Sequence, residues 1–545
     1  MGAIMRALRA LLLLAGFNLL GVLLLAGLAF LDCLLFLYAP PGVAVALCSV
    51  SVLPAIPVAA GLFAFRARRG EEAPGLTVTE ADEPTLWQTV REVAQQVGTR
   101  APSHVVLTPG VDASVAQGAR LLPGPRRLSL GVPLLQGLTA AQLRSVLAHK
   151  LGRRSTSGSR ALHDRALILR AVAHCEEHTG WTAPREQARL EQRFYKGAAT
   201  GAASSGRRVR HAGVTRRAVS WVRTAYAKLF LRATFAVARA HEVRADVTAA
   251  RIAGRDATAS VLREVPVLEA AFEYYTCHYA ALGLDAGLLP PRGEVFGGFG
   301  EMLSARQLEL AGLRREIPTG PLTPYDAQPP LADRVRHIEA LPPDGRTDEG
   351  RGAALSLLAD PGSTLTALED AVLTEDVRRF RRAGDWPGLL NDSMAAGLEG
   401  VDTPLHRALA MYTKAPPTLS ALLGLIDDGR VWKLARRLPL SDQAAASTGR
   451  AFREFVRPAL TESLHGMVLA ELSAGERLHW EFSWERTPTA RLRPGQSSPW
   501  SDTPLADLLG PAMTAALADH PDTGPLRALL MPTPTDPANR ETDRP

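Results

Sequence analysis

Five consecutive residues, His149-Lys150-Leu151-Gly152-Arg153, sit where catalytic chemistry would be expected. They close a run with helical apolar spacing that includes Leu138-Thr139-Ala140-Ala141-Gln142-Leu143 and Val146-Leu147-Ala148. A helix reading His-Glu-x-x-His presents two imidazoles a turn apart to zinc, and its Glu activates a metal-bound water. Only the first His is present here. Lys150 stands at the general-base position and Arg153 at the second ligand position. Zinc needs lone pairs from neutral imidazole or carboxylate, whereas Arg offers donors only and stays protonated. Two cations also repel a dication. A Lys takes no proton from water at neutral pH unless its pKa is strongly depressed.

Two later segments bear on the same chemistry. Arg239-Ala240-His241-Glu242-Val243-Arg244-Ala245-Asp246 puts Glu242 and Asp246 one helical turn apart, and Gln328-Pro329-Pro330-Leu331-Ala332-Asp333-Arg334 follows. Lys150 falls on the stripe of Leu143, Val146 and Leu147, and a charge on such a face needs a partner. We expect Arg153, Lys150 or both to pair with Glu242 or Asp246, so that an ion pair replaces the metal. The alternative is that both cations reach solvent on their aliphatic stems. His174-Cys175-Glu176-Glu177-His178 fits the inverted pattern H-x-x-E-H. It lies in the last turn of a helix expected over Leu162 to His178, where the helix dipole favours His in any case, and no third ligand follows.

The elements that position these residues begin with the membrane. Ala10 to Leu31 and Val43 to Phe65 are apolar runs long enough to span a bilayer, joined by the turn Pro40-Pro41-Gly42. Arg6 and Arg9 precede the pair, Arg66, Arg68 and Arg69 follow it, and no Lys or Arg lies between. The positive-inside rule then places both termini and the soluble domains in the cytoplasm. Residues 76–342 read as an α+β domain. It has a helix with Asp82 as candidate cap and Pro84 in its first turn, strands at His104 to Thr108 and Arg127 to Val132, and an edge strand at Ala113 to Ala116 between them. Thr139 with Gln142 forms a capping box that starts the key helix. A long helix closes at Gly254. Residues 343–490 read as a helical domain, and 491–545 as an irregular tail with a disordered end. The fold class is therefore α+β and mostly helical, with an N-terminal transmembrane hairpin.

Composition narrows the function. The net charge of +7 comes from dispersed Arg without aromatic interleaving in sequence, which argues against nucleic acid as a partner and for some attraction to anionic lipid. The four cysteines form no CxxC pair, so neither a Cys-based zinc site nor a disulfide framework is indicated.

The two spans, the altered helix, the Glu242/Asp246 segment and the Gln328–Arg334 run occur in the order found in a known family. Over roughly Met1 to Leu341 the chain resembles the HtpX-like membrane zinc metallopeptidases, the group that includes the CaaX prenyl endopeptidases. The resemblance implies a cytoplasmic gluzincin-type domain whose edge strand, near Ala113, Ser114, Val115 and Ala116, holds extended peptide. It matches His149 to the first zinc ligand, Glu242 to the third, and Asp246 to the carboxylate that orients a ligand. Gln328 stands where the family commonly has His. With Lys150 and Arg153 in place, the expected function is a pseudopeptidase, membrane-anchored and binding peptides or partner proteins without cutting them and without a cofactor. The alternatives are an active zinc metalloendopeptidase with an unorthodox site, and a scaffold acting through its C-terminal helical domain.

Overall fold

The computed structural model describes residues 74–117, 125–153, 239–315, 329–346, 352–400, 402–493 and 503–530, with most of 23–38. The architecture is α+β and mostly helical, with a few small sheets, as expected. The chain divides into two compact units. One comprises Met1–Ala280 and Arg292–Arg379; the other comprises Ala281–Pro291 and Phe380–Pro545. The boundary drawn at Pro342 from sequence falls inside the first unit. Residues beyond it stay there because Ala140 N–H donates to Gly352 O and Ala354 N–H to Leu138 O, at 2.9 and 2.8 Å.

The first unit is built on a four-stranded sheet of β1 (Leu76–Val78), β2 (His104–Thr108), β3 (Ala113–Gln117) and β4 (Arg126–Gly131), in the order β1-β2-β4-β3. β2 runs parallel to β4, with His104 opposite Arg127 and Thr108 opposite Gly131. β3 is antiparallel to β4, with Ala113 opposite Leu130. Val105, Val106 and Leu107 are all buried, the signature of a strand covered on both faces. β3 alternates instead. Ala113 and Val115 are buried and Ser114 and Ala116 exposed, and among the described residues it pairs with β4 alone. At Gly131 a Cβ would lie 1.9 Å from Gly110 O, so only glycine lets β4 pass the turn before β3.

Helix α1 (Pro84–Val97) follows β1 and buries Leu86, Val90 and Val93. Asp82 was expected to cap it. Instead Asp82 accepts from Thr79 N–H at 2.9 Å, and the cap position belongs to Glu83. The buried Glu83 carboxylate accepts from Ala359 N–H and Thr364 Oγ1, each at 2.6 Å. The acid nearer the helix thus staples a distant segment, while Asp82 closes its own turn. After α2 (Val132–Gly137), the expected capping box starts α3 (Ala140–Gly152). Thr139 Oγ1 accepts from Gln142 N–H, and Gln142 Oε1 accepts from Thr139 N–H.

Helix α3 is wrapped on nearly all sides. Ala141, Leu143, Leu147, Ala148 and Leu151 are at most 1% exposed, so an amphipathic stripe is an incomplete description of it. Residues 239–253 form α4, which stops at Gly254. The φ of +109° there suits only glycine. Ala245, Ala249, Ala250 and Ala253 are buried along α4, small side chains that permit close packing. Helix α5 (Arg255–Tyr275) follows, then α6 (Glu294–Ala305), α7 (Gln307–Arg315) and α8 (Leu331–Glu339). Ile338 of α8 joins Ala250 and Ala259 in one buried cluster. The unit closes with α9 (Pro361–Val372) and α10 (Glu375–Arg378).

The second unit is helical around one core. Its helices are α11 (Trp386–Leu398), α12 (Pro404–Thr413), α13 (Leu419–Asp427), α14 (Val431–Ala435), α15 (Asp442–Ala446), α16 (Gly449–Ala474), α17 (Leu505–Ala516) and α18 (Gly524–Leu530). Leu409, Ile426, Leu434, Val456, Leu460, Val468 and Leu509 meet in that core. A hairpin of β5 (Leu478–Glu481) and β6 (Thr489–Leu492) is added to it.

Residues 23–38 are helical where described, and run past the expected end at Leu31 to Tyr38. Phe30, Phe36, Leu37 and Tyr38 are more than half exposed. No helix among the described residues is long and apolar enough to cross a membrane. Most of the two expected spans lies outside the described residues, so the structure gives the hairpin no support.

Candidate functional site

Helix α3 delivers His149, Lys150 and Arg153 at its C-terminal end, and α4 delivers Glu242 and Asp246 one turn apart, at 1% and 2% exposure. His149 Nε2 lies 3.1 Å from Glu242 Oε2 and 3.3 Å from Asp246 Oδ1. Arg153 Nη2 lies 3.0 Å from Glu242 Oε1. The three positions matched to a zinc site therefore do converge, and Arg153 pairs with the carboxylate matched to the third ligand. Lys150 makes no ion pair among the described residues. It feels the charges of Glu242 and Asp112 only at longer range. His174, His178 and Gln328 lie outside the described residues.

Arg334 completes the cluster, and sequence reasoning gave it no role. Its Nη2 and Nε donate to Asp246 Oδ1 and Oδ2 at 2.7 and 2.9 Å. This two-pronged pairing is the geometry a planar guanidinium makes with a carboxylate. Charge counting could have found it. Two buried carboxylates a turn apart need more than one cation to offset them, and Arg334 is one of the cations the motifs offer, beside Lys150 and Arg153.

The electrostatics follow from this packing. Burial pushes the Glu242 carboxyl up, but the His149 bond and the Arg153 and Arg334 charges outweigh it and hold the pKa at about 2. Burial pulls the His149 imidazole below its ordinary range, only partly offset by Glu242 and Asp246. A neutral ring whose Nε2 faces two carboxylate oxygens must carry its proton there and donate it. Burial, together with the Arg153 and Arg334 charges, also pulls Lys150 down against the pull of Glu242 and Asp112. Burial raises Glu269, against the Lys150 charge.

This donor set does not fit zinc. Both Asp246 oxygens are taken by Arg334, one Glu242 oxygen is taken by Arg153, and His149 Nε2 is turned from lone pair to donor. Among the described residues no group of three or more His, Cys, Asp and Glu side chains is arranged to hold a metal. What the site does is hold helices together: α3 to α4 through Arg153–Glu242 and His149–Glu242, and α4 to α8 through Asp246–Arg334.

β3 packs against α3, and Asp112, just before β3, is close enough to influence Lys150. Ser114 and Ala116 of β3 are exposed. No family model matches the chain, and neither a curated protein nor a solved structure is significantly similar to it.

Proposed function

We propose that this protein is a membrane-anchored pseudopeptidase, derived from the HtpX-like zinc metallopeptidase plan, that binds extended peptides or partner proteins without cleaving them. One observation carries this: guanidinium groups occupy the carboxylates that a zinc centre would need, at 3.0 Å for Arg153–Glu242 and 2.7 Å for Arg334–Asp246. The order of motifs supports the ancestry. His149, Glu242 and Asp246 meeting at one point supports it further, since they come from segments far apart in the chain. The β3 edge supports binding by strand addition, in which main-chain hydrogen bonds supply affinity and pockets for alternate side chains supply specificity. The apolar runs at 10–31 and 43–65, flanked by Arg on both outer sides, support a bilayer anchor with the soluble units in the cytoplasm.

Elemental analysis of the purified full chain tests this, with Glu242→Ala and the double variant Lys150→Glu/Arg153→His alongside. The parent should carry no stoichiometric zinc. The double variant should gain zinc, because it removes two cations and restores a ligand and a base. Stoichiometric zinc in the parent, lost in Glu242→Ala, would instead identify a working metallopeptidase with unusual ligands. Hydrogen exchange at Ala113–Gln117 should slow when unfolded peptides are added. Unchanged exchange would remove the strand-addition mode.

A further inference from the structure

The arginines of the second unit look dispersed in sequence, but the fold gathers them on aromatic rings. Arg430 and Arg437 lie over Tyr412, at 5.4 and 5.0 Å from its centroid. Arg436 lies 4.4 Å over Phe452. Arg453 and Arg457 both lie 5.5 Å over Trp432. These contacts join α12, α14 and the first turns of α16 into one basic face.

We infer that this face docks on anionic lipid headgroups. Its positive charge is poorly offset. Arg430 reaches Asp428 only at 3.8 Å, Arg457 reaches Glu454 at 3.5 Å, and Arg453 reaches Asp519 at 3.2 Å. Such exposed pairs are weak and screened. Lys433, Arg436, Arg437 and Arg450 are exposed and form no ion pair among the described residues. A guanidinium lying on a ring face is held in place; Arg453 donates to Asp519 Oδ1 and Arg457 to Leu517 O, and Arg436 and Arg437 keep their in-plane donors available for phosphate oxygens.

Two observations favour lipid over a nucleic acid. Proteins that bind single-stranded nucleic acid stack bases on open aromatic faces. Here Phe452 is buried, Trp432 and Tyr412 are half-buried, and guanidinium groups already cover the three rings. Large apolar side chains are also exposed on the elements that carry this face: Met411 of α12 is 63% exposed and Phe455 of α16 is 47% exposed. Basic groups with exposed apolar residues are the composition of interfacial lipid binders. The inference rests in part on the membrane-anchored reading above. A tethered domain meets the bilayer at high effective concentration, so a modest attraction suffices.

The test uses the full chain in nanodiscs of phosphatidylcholine alone or mixed with phosphatidylserine, reading hydrogen exchange across residues 430–457. Exchange should slow several-fold in the anionic discs and recover in high salt. Each cation removed should weaken the interaction roughly fivefold. Arg436→Glu with Arg437→Glu should therefore abolish the slowing, Arg436→Lys with Arg437→Lys should keep it, and unchanged exchange in α13 should confirm that both variants are folded. Incorporation into neutral discs with equal exchange in both lipids overturns the docking face and leaves the anchor standing. Failure to enter neutral discs, with slowing in anionic ones, removes the anchor and keeps the face. Polyuridylate slowing the same segment more than phosphatidylserine does overturns the assignment to lipid.

Discussion

Arg334 and Asp246 offer the sharpest test of the buried ion-pair cluster. Their side chains are 9% and 3% exposed and joined by two hydrogen bonds. Removing one partner from a buried pair leaves an uncompensated charge and costs about 3–5 kcal/mol. Arg334→Leu leaves Asp246 buried with His149, at 3.3 Å, as its one remaining ionic partner among the described residues. Asp246→Leu strands a guanidinium that cannot neutralise itself. Each single change should lower the melting temperature of the first unit by on the order of 10 °C, at about 2–4 °C per kcal/mol for a unit of this size. The double change removes both charges and should recover at least half of the summed loss, since buried pairs are often replaceable by apolar groups. The assay is thermal unfolding of the full chain in detergent, followed by near-ultraviolet dichroism. Single variants melting within about 1 °C of the parent, or a double variant as unstable as the sum, would refute the reasoning.

Glu242 predicts an acid limb. Its pKa of about 2 lies below the ordinary 4.5, so its contribution is present above the unfolded value and fades as pH falls toward 2. The difference corresponds to roughly 3 kcal/mol, and melting curves from pH 5 to pH 3 should show this limb flattened in Glu242→Gln. Lys150 has no ion-pair partner among the described residues, and burial lowers its pKa. Lys150→Met should therefore raise the melting temperature, with the gain shrinking as pH rises and the parent Lys loses its proton. A fall in melting temperature at neutral pH would mean that Glu242, Asp112 and Glu269 hold the ammonium more strongly than burial opposes it.

The sequence determined the local elements. Strand β2 runs from His104 to Thr108 and helix α3 starts at the Thr139–Gln142 box, because β-branched runs and capping side chains act within a few residues. It also determined that Lys150 and Arg153 cannot serve as zinc ligands beside His149, since residue type alone decides whether a side chain can donate a lone pair. Tertiary structure decided the rest. Which cation meets which carboxylate depends on where α4 and α8 cross α3, so Arg153 pairs with Glu242, Arg334 takes Asp246, and Lys150 is left without an ion pair among the described residues. Asp82 lost the cap of α1, and Glu83 became a staple to Ala359 and Thr364, 276 and 281 residues away in the chain. The arginines from Arg430 to Arg457 became one face only when Tyr412, Trp432 and Phe452 were brought beneath them. Pairing between distant charges is set by the packing of the elements that carry them, and spacing along the chain does not encode that packing.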